Sequence, residues 1–206
     1  MFIVLEGIDG SGKTTQCDML ADFLSARLGR SSVVRTFEPG DWDGGGILRD
    51  LSLGGQLEGR WSRFFLFMAD RCEHLTRVII PALEEGRVVI CDRYTASTMA
   101  YQVLSDPQVS DEIAGFMSRL PACLGMPEPD AVILLDVDAG TAEARMRARG
   151  KRDFFETMGR DYFERVRSAY LTQMESAAGE RWMLIDASGS PDEVFERISK
   201  RVLELL

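Results

Sequence analysis

Short runs of consecutive apolar residues alternate along the chain with longer segments in which apolar positions recur every three or four residues. Runs of the first kind read as strands buried on both faces, and segments of the second as the helices that cover them. Strands are predicted for the run beginning at Phe2 and for 32–37, 87–91, 131–136 and 182–185. Helices are predicted for 15–28, with Cys17, Leu20, Ala21, Leu24 and Leu28 on one stripe, and for 47–53, 60–84, 95–104, 110–120, 141–149, 157–178 and 191–206. Pro81 should loosen the last turn of 60–84, while Pro191 suits a first helical turn. This alternation predicts one α/β domain over 1–206, a five-stranded parallel sheet flanked by helices on both faces. No repeat, low-complexity tract or linker divides it.

The first run ends in a glycine-rich turn, Gly7-Ile8-Asp9-Gly10-Ser11-Gly12-Lys13-Thr14-Thr15, from which a helix departs. Gly7 to Thr14 fits G-x-x-x-x-G-K-[ST], the phosphate-binding loop between a strand and a helix. Glycines let backbone N–H groups converge on phosphate oxygens, and the helix adds its dipole and its free N–H groups. Lys13 can reach the β- and γ-phosphates, and the Thr14 hydroxyl can ligate Mg²⁺. The chain therefore binds a nucleoside triphosphate. Asparagine is absent, so an N-K-x-D guanine-reading motif, and with it a GTPase-like switch, is excluded.

Net charge −9 argues against nucleic-acid and anionic-membrane partners, so polyphosphate binding must rely on local arginine clusters. Cys17, Cys72, Cys91 and Cys123 form no C-x-x-C pair and read as reduced cytoplasmic thiols. The N-terminal run is too short for a signal peptide, and none approaches membrane-spanning length.

Asp92 follows the third strand and Asp136 ends the fourth, so both reach the carboxyl edge where ligands bind in open α/β folds. Asp92 is the preferred magnesium ligand because Arg93 beside it can clamp a phosphate. The segment around Trp61–Arg71 is apolar almost all round, as a helix buried on two sides would be. Phe67 and Arg71, at i and i+4, share a face suited either to a nucleobase or to the core and a local ion pair. Arg145, Arg147, Arg149, Lys151 and Arg152 put five cations in eight residues around Gly150, as a mobile lid over a transferring phosphoryl group would.

Together these stretches resemble the thymidylate kinases, within the P-loop nucleoside monophosphate kinases, over nearly the whole chain. The resemblance rests on F-I-V-L-E-G-I-D-G-S-G-K-T-T, F-E-P-G at 37–40, L-F-M-A-D-R at 66–71, D-R-Y-T-A-S-T-M-A-Y-Q at 92–102, P-D-A-V-I-L-L-D-V at 129–137 and R-A-R-G at 147–150. It implies ATP as donor with Mg²⁺ on Thr14 and Asp92, dTMP as acceptor, and a homodimer packed through the apolar helix 60–84. The phosphate loop through Thr15, together with Arg145, would bind the donor. Phe67 would stack on thymine, Arg71 would bond the pyrimidine edge, Arg93 would hold the acceptor phosphate and Asp9 would lie near the sugar 3′-hydroxyl. Tyr101 would crowd out a ribose 2′-hydroxyl, and the same segment brings Ser97, Thr98 and Gln102 to the acceptor. Lys13, Asp9, Arg93, Arg149 and Arg152 form the catalytic set, the lid spanning 145–156.

The chain departs from the family's R-E-P-G-G-T, carrying Phe37 where an arginine is expected at the acceptor phosphate. Side chains two apart on a strand share a face, about 6–7 Å apart, so Arg35 is positioned to replace it, with Phe37 taking the apolar place. Arg49 is the alternative. A kinase of another small acceptor and a catalytically weakened nucleotide sensor are the competing readings.

Overall fold

A computed structural model gives the fold and describes residues 1–150, 154–177 and 181–205. The strands β1 (Phe2–Glu6), β2 (Val33–Phe37), β3 (Val88–Asp92), β4 (Ala131–Asp136) and β5 (Trp182–Asp186) lie in the order β2-β3-β1-β4-β5. All four pairings are parallel, giving the sheet that the sequence predicts. Every residue of β1 and β3 is buried, which is why these strands read as unbroken apolar runs.

Strand pleating divides β1 between two cores. Ile3 and Leu5 pack with Leu20 and Leu24 of α1 (Lys13–Leu28), while Phe2 and Val4 pack with Phe64 and Met68 of α3 (Arg60–His74). Among the described residues the remaining α-helices are α2 (Gly46–Leu53), α4 (Ile80–Glu84), α5 (Thr95–Met99), α6 (Asp111–Cys123), α7 (Ala139–Arg149), α8 (Arg160–Ser176) and α9 (Pro191–Leu203). Among the described residues no helix is long and apolar enough to cross a membrane.

Two predicted helices are interrupted. The segment 60–84 becomes α3, a π-helical turn at Leu75–Ile79, and α4. Pro81 lacks an N–H and its ring crowds the carbonyl four residues back, so the helical ladder widens just before it. The segment 95–104 becomes α5 and a second π-helical turn, Ala100–Leu104, which carries Tyr101 and Gln102 to the wall of a large cavity. The predicted helix 157–178 starts only at Arg160, after Gly159 at φ 83°.

Candidate active site

The register of the sheet sets the floor of the site. Leu5 and Phe37 both pair with Asp92, so three strand ends finish level at the carboxyl edge. Beyond them opens a cavity of about 1030 Å³, at the upper end of the roughly 300–1,000 Å³ usual for small-molecule sites. Asp9, Gly10, Ser11, Gly12, Lys13, Thr14 and Thr15 line one end of it. Gly7 and Ile8, expected to bind the donor as well, lie beneath the loop and shape it: their carbonyls accept from Lys13 Nζ at 2.9 and 2.8 Å. At Gly7 (φ 143°) a Cβ would stand 2.6 Å from the Leu135 carbonyl, so only glycine fits between the loop and β4. Burial, with Arg93 beside it, pushes the Lys13 ammonium down to about 8.

The Thr14 hydroxyl donates to Asp92 Oδ2 at 2.7 Å, while Asp92 Oδ1 is buried with no hydrogen-bond partner among the described residues. A hydroxyl and an unsatisfied carboxylate oxygen, both hard donors at the phosphate loop, fit a magnesium ion. The alternative ligand, Asp136, is committed to Arg167 of α8 by two bonds of 2.6 and 2.8 Å and is off the main cavity wall.

Arg93 lines the cavity. It is the one non-glycine with positive φ (75°) among the described residues, a conformation costing about 1–2 kcal/mol. Surrounding bonds hold it there. Its N–H reaches the Leu5 carbonyl at 3.0 Å, and its guanidinium donates to Asp9 Oδ1 at 2.5 Å and Ser97 Oγ at 3.1 Å. Tyr101 Oη donates to Asp9 Oδ2 at 2.9 Å and accepts from the Asp9 N–H at 2.8 Å. Burial pushes the Asp9 carboxyl up, but Arg93, Lys13 and the Tyr101 hydroxyl outweigh it and hold Asp9 below its ordinary value. The Tyr101 hydroxyl is pushed well above its usual range by burial and by Asp9.

Glu6, which the sequence reading missed, anchors this group. Its Oε1 accepts from the N–H groups of Tyr94 (2.8 Å) and Ser97 (3.2 Å), and its Oε2 from Ser97 Oγ (2.6 Å) and Tyr170 Oη (3.0 Å). Burial drives the Glu6 carboxyl upward, and Ser97, Arg93 and the other partners only partly offset it. Ser97, expected at the acceptor, is thus also a brace between Glu6 and Arg93. A lone carboxylate ending an otherwise apolar, fully buried strand is the sequence signal that could have found Glu6.

On the opposite wall, Phe67 and Arg71 face the cavity together, as their spacing implies. Phe67 is half-buried, its ring 6.2 Å from that of Phe155. Arg71, 2% exposed, donates to Glu38 Oε2 at 2.8 Å and to the Tyr94 carbonyl at 2.9 Å. Thr98 and Gln102 line the same space, and Gln102 Oε1 is buried without a partner among the described residues. Arg35 and Arg49 lie over the Phe37 ring at 5.6 and 5.2 Å, and all three reach the cavity. Arg35 also pairs with Asp18 at 2.8 Å, and Arg49 donates to the Pro39 carbonyl at 2.6 Å.

Arg145 and Arg149 close the far side. Arg145 binds the carbonyls of Ala187, Ser188 and Gly189 at 3.0–3.2 Å, next to the phosphate loop. Arg149 pairs with Glu156 across Gly150, whose φ is 80°. Arg152 and the rest of the lid at 151–153 lie outside the described residues.

A sequence profile of the thymidylate kinases matches residues 5–198. The chain belongs to the thymidylate kinase family. Thymidylate kinase of Desulfovibrio desulfuricans is 41% identical over 203 residues, 94% of this chain and 91% of that protein. That of Ruegeria pomeroyi is 39% identical over 207 residues, 98% of this chain and 94% of that one. The crystal structure of the Ehrlichia chaffeensis thymidylate kinase matches the fold with a TM-score of 0.80 at 29% identity, covering 98% of both chains. The expected P-loop nucleoside monophosphate kinase fold and the kinase assignment stand with the thymidylate kinase family.

Proposed function

We propose that this chain transfers the γ-phosphoryl group of ATP to dTMP, giving dTDP and ADP. The observation that carries this reading is that one cavity runs from the phosphate loop, past Asp9 and Arg93, to the Phe67–Arg71 wall. Donor phosphates lie in the loop against Lys13, and Arg145 holds the donor's far end. The acceptor base lies between Phe67 and the polar edge made by Arg71 and Gln102. Arg93 holds the acceptor phosphate, whose oxygen attacks in line. Asp9 orients both Arg93 and the sugar 3′-hydroxyl, while Tyr101, tied to Asp9, occupies the space a ribose 2′-hydroxyl would need. No covalent intermediate on the protein is required, since positioning and charge neutralisation supply the rate. Thr14 and Asp92 would hold Mg²⁺, which neutralises charge on the β- and γ-phosphates when bound.

ADP release measured across nucleoside monophosphates tests the acceptor, with dTMP expected to give the highest kcat/KM. If another monophosphate exceeds it tenfold or more, the assignment fails. The family arginine missing at Phe37 makes this panel necessary. Arg35, with Arg49 across the same ring, supplies the replacement charge to the acceptor phosphate. Each charge-assisted bond is worth roughly 1.5–3 kcal/mol, so Arg35→Ala should lower kcat/KM for dTMP about ten- to a hundredfold with the ATP KM unmoved. If Arg35→Ala is silent and Arg49→Ala shows that loss, the helix alone makes the replacement.

A homodimer is part of the same proposal. Phe64 and Met68 of α3 enter the core while Phe65 projects outward at 57% exposure, the second apolar side expected of this helix. Phe65→Glu should convert a dimer to a monomer in sedimentation; an unchanged species would place the interface elsewhere. The four free cysteines accord with a cytoplasmic setting.

A further inference from the structure

His74 is the only histidine of the chain. It lies fully buried at the end of α3 and does not line the cavity. Its ring nitrogens meet two neighbouring residues of the chain, Nε2 2.6 Å from Thr36 Oγ1 and Nδ1 3.2 Å from Glu38 Oε1. A hydroxyl has a single proton to donate, and that of Thr36 goes to Asp41 Oδ2 at 2.9 Å. Thr36 Oγ1 must then accept from the ring, so Nε2 carries hydrogen. Glu38 also takes Nε and a terminal nitrogen of Arg71, at 2.8 and 2.7 Å. A carboxylate paired in this way only accepts, so Nδ1 must donate as well.

We infer that His74 is held as an imidazolium between Glu38 and the Thr36–Asp41 pair, and that it positions Glu38 and, through Glu38, Arg71 on the acceptor wall. The surrounding charges favour this. Beside Glu38 and Asp41, Asp70 of the same helix approaches, held by Trp42 Nε1 at 2.8 Å and the Gly40 N–H at 3.0 Å, with burial pushing its carboxyl up. Among the described residues Arg71 is the one buried guanidinium bonded within this group, so a second cation brings the cluster nearer to balance. From β3, Cys91 faces the ring, its Sγ within 4.8 Å of the Glu38 and His74 ligand atoms. Those three residues are close enough to gather around a metal ion, but both ring nitrogens already have partners and Cys91 Sγ donates to the Arg93 carbonyl at 3.1 Å. Hydrogen bonding, rather than ligation, is the role this geometry points to.

The inference rests on the reading of Arg71 as the base-binding arginine, and the test separates the two. With ¹⁵N-labelled histidine the spectrum contains one imidazole only. At pH 7 both ring nitrogens are expected to carry a proton; a single ring N–H overturns the proposal. Asp41, which is off the cavity wall, is then replaced. Asp41→Ala frees the Thr36 hydroxyl to donate to Nε2, so the Nε2 proton should be lost. The dTMP KM should rise about three- to tenfold, with kcat and the ATP KM unchanged. An unmoved spectrum or an unmoved dTMP KM in that variant overturns the positioning role. Arg71→Ala is the control: if it raises the dTMP KM and Asp41→Ala does not, the positioning chain is wrong. If neither variant moves it, the base-binding reading fails too.

Discussion

Lys13→Ala should lower kcat about a thousandfold or more, the scale expected when a donor aimed at developing phosphate charge is removed. Among the described residues its ammonium bonds only loop carbonyls and Ser11. The fold should therefore survive, which circular dichroism and thermal melting would check. A variant keeping more than half of wild-type activity would remove the basis of the kinase mechanism. Proton counting gives a second readout. In the free protein this ammonium titrates at about 8, and a bound triphosphate favours its charged form. Above pH 8, ATP binding should take up protons in the wild type and cease to do so in Lys13→Ala. Calorimetry in buffers of different ionisation enthalpy measures this.

Arg149→Ala is expected to reduce kcat by about a hundred- to a thousandfold with the ATP KM nearly constant. Arg149 stands on the last turn of α7, on the cavity wall, with its side chain 58% exposed and its guanidinium on Glu156. A group so placed contributes little to the resting fold and can turn onto the phosphoryl group as charge develops there. Lysine should rescue poorly, since a point charge replaces a planar fork. A rise in ATP KM at constant kcat would instead make Arg149 a ground-state binding residue.

Much of this molecule could be read from its residues, because burial on both faces of the sheet leaves strands as plain apolar runs. The phosphate loop and the Phe67–Arg71 face were legible for a similar reason, their geometry being set locally by a turn and by helical spacing. Legibility stopped where contacts cross elements. Alternation put Arg35 on the face of Phe37, but nothing in β2 tells that Asp18 of α1 takes its Nε. Glu38, Thr36 and His74 are unremarkable one by one, and only packing α3 against β2 joins them. The π-helical turn that carries Tyr101 and Gln102 has no periodicity of its own, so 95–104 read as a continuous helix.

Gly10 has a mechanical consequence. A methyl group there would lie 2.4 Å from the Ala142 carbonyl, about 1 Å inside ordinary contact, at a φ of 82° that already disfavours a side chain. The phosphate loop thus rests directly on the backbone of α7 like a shaft in a bearing. Seven residues further along that rigid rod, roughly 10 Å away, is Arg149. Alanine at position 10 would push the rod off its seat and displace the arginine at its tip, and an ångström of misplacement can cost about a hundredfold in rate. The defect would be one of alignment between donor seat and lid, arising at a residue with no chemistry of its own.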